Sequence, residues 1–475
     1  MDYQYPNQVI SSFKKIIIFS TVFLGAISFL LFSDNGTWTG DSIPYRYLPI
    51  AILRHQTFYL DAFPQLTNPQ YYAVIKGRGG HLISKKPVFP ALMEIPFYMI
   101  YTAWHNHLPE SELEMMQLGR LTMVVIASLA AVCLTGLLMD LNRKWLAAAA
   151  GLGLVTMTPF WFTALDCWPH PLLALFNIIS IGLLGKRTGK GIWVLIGLFQ
   201  GLAITVRLSA LMVALAFGLV ALLIESPDIK TRIRRLALMF FGGITPLLAL
   251  LFYNNHHLGS PWTTGYRIEL YSQIRWPLLP LAGLFISPAK GLFLFSPILV
   301  LFPLAFFLRG IKHRWEIKVS GLAIALHTIY WAFYADWWGG WAWGPRYLSE
   351  ILPFACYLTA LVIDEILSFS HANKWLIGGL LTTLAVFSLM FQTIGILSWD
   401  GEYHKRYDKG WGSENHWVWS APFEPLWRLK RGIWFFRGAR LKFRIPPNPV
   451  GRELSRAVFG RYDNWQTFVA KLQTK

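Results

Sequence analysis

Apolar runs close to the length a helix needs to cross hydrocarbon recur along the chain, and this repetition limits the fold more than any motif does. About 20 apolar residues suffice for one crossing. Such runs fall at 15–33, 114–139, 145–163, 169–185, 191–206, 208–225, 235–253, 291–309, 316–335, 345–368 and 374–398. Charged residues make up only 14% of the chain and hydrophobic ones 54%, whereas soluble domains carry about 25% charged residues. Such a chain cannot cover a water-exposed globule with polar groups. The expectation is an all-α polytopic membrane protein with about 11 transmembrane helices over residues 1–400.

Basic residues in short loops set orientation, because they stay on the cytoplasmic side. Arg143-Lys144, Lys186 to Lys190, Lys230 to Arg235 and Arg309 to Arg314 form four such clusters. Simple alternation from residue 114 places all four inside. Lys14-Lys15 also belongs inside, and the first run lacks a small-residue cleavage site, so it reads as an uncleaved first span. That sends 34–87 outside as a long first outer loop. The run at 88–104, broken by Pro90 and Pro96 and carrying Glu94, is then expected to lie along the outer interface or re-enter; the alternative is an outside N-terminus with 88–104 as a full crossing. The net charge of +18 points to anionic lipid and phosphate-bearing substrates rather than nucleic acid. Cys133, Cys167 and Cys356 show neither metal spacing nor a disulfide framework. Residues 401–475 are basic and rich in aromatics, as in a segment lying on anionic lipid.

With this parity the outer segments hold nearly all the polar and turn-forming clusters. In "TGDSIPYR", Asp41 sits just past the first span, where low-dielectric surroundings can raise a carboxylate pKa and suit it to take a proton. On spacing alone, a helix cap for the stretch beginning near Ser42 is the better reading of Asp41. Arg46 follows about a turn later and can meet a phosphate. The stretch "KGRGGHLISKKPVFP" joins glycines to Lys85-Lys86, a combination that suits a phosphate or simply a flexible loop. In "TALDCWPHPLL", Asp166 and His170 can orient a substrate or cap and hydrogen-bond a span end; two ligands do not make a metal site. Lys290 in "SPAKGLFLFSP" can snorkel to the interface or meet an anionic group. "ADWWGGWAWGPRYLSEILPF" packs Trp338, Trp341 and Trp343 among glycines ahead of Arg346. Trp faces stack on sugars and isoprenoid chains, and an aromatic belt alone does not call for this Gly-Pro-Arg setting.

Taken together, these motifs resemble the GT-C fold membrane glycosyltransferases that use polyprenyl-phosphate-linked sugars, the group of the protein O-mannosyltransferases and lipid A aminoarabinose transferases. The resemblance implies a GT-C-like bundle with juxtamembrane helices in the first outer loop. It makes Asp41, at the position of that family's first-loop acid, the catalytic base of an inverting transfer. The family often has an acidic pair where this chain has Asp41-Ser42, which leaves Asp61 or Asp166 as the second carboxylate. Arg46, Lys85, Arg207, Lys290 and Arg346 are the cations expected near the leaving phosphate, Arg346 and Lys290 foremost. The implied partners are a polyprenyl-phosphate sugar donor and membrane lipids. The location is the cell (inner) membrane, multi-pass. No cofactor is called for, and a divalent metal is left open. The alternative is a transporter or lipid flippase, since charges within a bundle also mark transport paths; internal repeats, common in transporters, are not visible.

Overall fold

A computed structural model describes residues 5–33, 40–68, 71–186, 189–224, 228–263, 277–287, 290–311, 314–334, 336–340, 342–369 and 373–398. Trp341 and the basic segment 401–475 lie outside the described residues. The chain folds as a helical bundle with one two-stranded antiparallel hairpin, β1 (Val74–Lys76) against β2 (Leu82–Ser84). Fifteen α-helices are described: α1 (Tyr5–Phe32), α2 (Ile43–His55), α3 (Phe89–His105), α4 (Glu112–Leu137), α5 (Lys144–Thr156), α6 (Phe160–Ala164), α7 (His170–Lys186), α8 (Lys190–Val206), α9 (Ala210–Leu223), α10 (Ile229–Leu258), α11 (Leu278–Ile286), α12 (Leu292–Phe295), α13 (Trp315–Ala332), α14 (Leu352–Ile366) and α15 (Lys374–Ser398).

Among the described residues, four stretches are long and apolar enough to cross a membrane: Lys14–Phe32, Glu112–Leu137, Ile229–Leu258 and Lys374–Ile396. Five further apolar helices are shorter. Two expected spans are broken by proline, which removes a backbone donor and clashes with the preceding turn. The 145–163 run divides at Pro159 into α5 and α6. The 291–309 run becomes α12 and then a 3-10 stretch, Pro297–Phe306, which includes Pro303. α11 lies in a segment expected to be outer loop, and the hairpin is likewise a departure from an all-α fold.

Local chemistry explains several boundaries. Ser111 and Glu114 form a capping box at the start of α4, satisfying its first free N–H groups. Asp228 caps α10, which ends at Gly259 in the left-handed conformation. α8 and α10 approach until side chains cannot fit between them. A Cβ at Gly197 would lie 1.9 Å from the Met239 carbonyl oxygen, and one at Gly242 would lie 2.0 Å from that of Val194. Small residues at helical spacing permit such contact in apolar surroundings.

The bundle sorts charge by end. At one end Arg143 bonds the Asp364 carboxylate at 2.9 Å and the Leu367 carbonyl at 2.7 Å. Gly310 abuts Glu365, Gly185 abuts Glu316, and Arg235 lies over Trp193. The loops carrying the basic clusters therefore meet at this end. At the opposite end the α6–α7, α8–α9 and α13–α14 connections converge. Arg120 of α4 donates to the carbonyls of Leu30 and Leu31 at 3.1 Å each. α1 therefore leaves and α4 enters at the same end. The intervening α2, hairpin and α3 therefore make no net traverse between the two ends.

Candidate functional site

The site is assembled at the end opposite the basic loops. Asp41 occupies a 3-10 turn, Gly40–Ser42, ahead of α2. It is not that helix's cap: Ser42 holds the N-cap position, and no side chain closes it. The Asp41 carboxylate instead meets Lys86 Nζ at 2.9 Å and Arg346 at 3.7 Å, and it accepts a hydrogen bond from Tyr72 Oη at 3.1 Å. Gly40 makes this possible, since a Cβ there would lie 2.5 Å from the Tyr72 ring. Burial raises the Asp41 pKa, but Lys86, Arg346 and the Tyr72 hydroxyl outweigh it and hold the carboxyl well below the usual range. Tyr72 in turn is raised by burial and by the Asp41 charge. Asp41 is 29% exposed, so it stands at a mouth rather than in the core.

Which lysine reaches Asp41 is set by the bend that follows β2. As the chain leaves β2, the Lys85 N–H donates to the Ala73 carbonyl, while the Lys86 N–H donates to Ser84 Oγ. Lys86, not the expected Lys85, carries its ammonium to the carboxylate.

Arg346 arrives on the glycine-rich α13–α14 connection. Gly339, Gly340 and Gly344 have φ of 78°, 67° and 67°, a region L side chains rarely enter. Their freedom lets the segment fold back so that Arg346 lies over Trp168 at 4.5 Å and Tyr347 at 5.1 Å. Lys290 lies beneath this segment, donating to the carbonyls of Gly340 and Ala342 at 3.0 and 2.6 Å. Burial and the nearby Arg346 cation lower its pKa well below the ordinary lysine value. Lys290 thus props the Trp-Gly segment from inside rather than facing the mouth, a correction to its expected place among the phosphate's cations.

The other expected residues fall into separate buried networks. Arg46 is fully buried and bonds Ser42 Oγ at 2.9 Å and Asp166 at 3.3 Å, with Glu112 at 3.6 Å. Ser42 also donates to Asp166 at 2.8 Å. Arg46 and Asp166 therefore serve each other; Arg46 is not open to a phosphate, nor Asp166 to a substrate. Arg207 is 2.9 Å from Glu350 and lies over the Trp331 and Tyr347 rings at 4.7 and 5.1 Å. His170 is 3.3 Å from the same carboxylate, which also accepts from Ser209 at 2.9 Å and stands 3.6 Å from His327. Asp166 and His170, paired by spacing, thus belong to different networks. Asp61 bonds His81 and the Leu82 N–H at 2.7 Å each, bracing the hairpin.

Trp338 and Trp343 are interior. Trp343 is wholly buried and donates to Gln392 Oε1, as does Trp161. Trp338 is 2% exposed, near Lys290. Neither presents a face for sugar stacking, because the left-handed glycines turn the segment inward. Lys86, Tyr72 and Glu350 were missed. The Lys-Lys pair was the only signal for Lys86, while Glu350, inside "YLSEILPF", carries none. Among the described residues no group of three or more metal-binding side chains forms.

A hollow of about 480 Å³ lies elsewhere, between α2 and the α3–α4 turn, lined by Tyr47, Arg54, Phe63, Gln65 and Glu110 among others.

No family model matches the chain, and no curated protein matches it. Among solved structures it is similar in overall course to the archaeal oligosaccharyltransferase AglB from Archaeoglobus fulgidus in complex with an inhibitory peptide and a dolichol-phosphate, with TM-score 0.48 and 10% identity over 84% of this chain. It is also similar to the Archaeoglobus fulgidus oligosaccharyltransferase in the apo form, with TM-score 0.48 and 12% identity over 83% of this chain. The complex of that enzyme with Zn and sulfate gives TM-score 0.49 and 13% identity over 85% of this chain. The chain spans 59% of the length of each.

Proposed function

We propose that this protein is a multi-pass GT-C-like membrane glycosyltransferase that moves a sugar from a polyprenyl-phosphate donor to a lipid, glycan or protein acceptor. The reaction is inverting and takes place at the outer face of the cell membrane. The observation that carries this reading is a carboxylate, Asp41, held between Lys86 and Arg346 at the mouth of an apolar bundle, at the end away from the basic loops. A membrane-dissolved donor brings its phosphate to such a mouth without leaving the lipid. The two cations then suit the leaving phosphate, and the carboxylate suits the acceptor.

In the reaction, Asp41 takes the proton from an acceptor hydroxyl. The hydroxyl oxygen bonds to the anomeric carbon from the face opposite the phosphate. The bond from that carbon to the phosphate oxygen breaks, and its electron pair leaves with the polyprenyl phosphate. Arg346 and Lys86 stabilise the charge that develops on the departing oxygen, an interaction stronger in the transition state than in the ground state. Lys290 and the Arg207–Glu350 network hold the Arg346 segment in place from within.

The test is release of free polyprenyl phosphate from polyprenyl-phosphate sugars incubated with purified protein and a membrane lipid extract. Release that depends on both protein and extract supports the reading. Coupled substrate flux into liposomes without release supports a transporter instead.

A further inference from the structure

The Asp41 carboxylate lies where the proposed reaction would place a phosphate. Two of its oxygen contacts are to cations, Lys86 at 2.9 Å and Arg346 at 3.7 Å, and a third is to a phenolic donor, Tyr72, at 3.1 Å. Two cations and a hydroxyl donor converging on oxygens make a set that suits a phosphate group as well as a carboxylate. Arg346 is not saturated by Asp41. The 3.7 Å separation exceeds hydrogen-bond length, and its buried Nε donates to no acceptor. The Arg346 guanidinium lies over the faces of the Trp168 and Tyr347 rings, which hold it ready for a further acceptor.

We infer that Asp41 occupies the phosphate site of the free protein as an internal substitute, and that an incoming lipid-linked phosphate group displaces it from Lys86 and Arg346. The inference rests on the reading of this end as a lipid-phosphate site. Its consequence is an order of events. While both cations hold Asp41, its lone pairs are committed and it is a poor base. Once the donor's phosphodiester anion takes the cations, the carboxylate loses the charges that suppressed it and gains a like-charged neighbour. Both changes raise its basicity. Donor binding thereby prepares the base for the acceptor, and an acceptor hydroxyl reaching the mouth first meets an unreactive carboxylate.

The test measures anion binding to the purified full chain in lipid nanodiscs. One arm uses undecaprenyl phosphate incorporated in the nanodisc, and the other uses inorganic phosphate in the aqueous phase. If Asp41 competes for the cations, Asp41→Asn binds polyprenyl phosphate about tenfold more tightly than the unsubstituted protein, the scale set by one opposing charge at this separation in a partly exposed site. Asp41→Ala, a second variant against local misfolding, shifts the same way. Lys86→Gln and Arg346→Gln shift the opposite way. Tightening in the lipid arm alone assigns the site to a lipid headgroup; tightening in both arms assigns it to phosphate as such. Unchanged or weaker binding in both Asp41 variants, with the unsubstituted protein binding normally, overturns the inference and leaves the glycosyltransferase reading standing. Absence of binding in every protein overturns that reading as well.

Discussion

Glu350→Gln tests whether the buried network at the end opposite the basic loops is what fixes the Arg346 segment. Glu350 is 1% exposed and sits within 2.9 to 3.6 Å of Arg207, Ser209, His170 and His327. The substitution keeps the shape and the Ser209 contact but deprives Arg207, 10% exposed at its side chain, of its carboxylate. Removing one partner from a buried ion pair costs about 3–5 kcal/mol. The Trp331 and Tyr347 rings under the guanidinium offset about 1 kcal/mol of this, leaving a loss of about 2–4 kcal/mol. The assay is unfolding titrated with SDS in mixed micelles. The double substitution Glu350→Gln with Arg207→Met removes both charges and should recover at least about 1 kcal/mol. A single variant within about 0.5 kcal/mol of the parent, or a double variant as unstable as the sum of its parts, would refute the reasoning.

Other outcomes follow from the same geometry. Gly197→Leu drives a side chain into the Met239 carbonyl and should cost more than about 3 kcal/mol in the same titration. Cys167 is fully buried, and burial raises its thiol pKa, so maleimide at pH 7.5 should label it only after unfolding; prompt labelling of the native protein contradicts the packing. The lowered Asp41 pKa places its stabilising contribution above the ordinary carboxylate range, lost only as pH falls through the lower folded value. Protection of the 71–88 loop from proteolysis should therefore be unchanged between pH 5 and 8, and loss of protection near pH 5 would count against the Lys86 pair. Cysteines placed at Trp262, 78% exposed, and Trp375, 92% exposed, should label from opposite sides of sealed vesicles, and labelling from one side would overturn the two-ended charge sorting.

Much of the fold is legible in the sequence because apolar runs and loop charges are local signals. The run at 114–139 is continuous and is followed by basic residues, so its helix and direction can both be read. The runs at 145–163 and 291–309 have the same apolar content, but hydropathy does not register that Pro159, Pro297 and Pro303 divide them. α11 is short and lies between polar stretches, below the length that marks a span. At the site, Asp41 and Arg346 are visible because each sits in an unusual turn-forming run. Lys86 is hidden by its neighbour: choosing between two adjacent lysines requires the bend that follows β2. Glu350 looks like any polar residue at a helix start, and only the fold brings Arg207, His170 and His327 to it from three other segments. The tryptophan run misleads for the opposite reason. Its composition suits a binding surface, but Gly339, Gly340 and Gly344 turn it inward, where Gln392 receives Trp343.

In the proposed reaction Asp41 draws the acceptor's proton during sugar transfer from a lipid phosphate. The most direct measurement is transfer of radiolabelled sugar from polyprenyl phosphate into acceptor extract by Asp41→Asn beside the unsubstituted protein, both shown to be folded by their SDS titrations. The account predicts loss of at least about a hundredfold, the lower end of what a positioned general base contributes, with polyprenyl phosphate still bound. Transfer at the parent rate by the folded Asp41→Asn protein would contradict it.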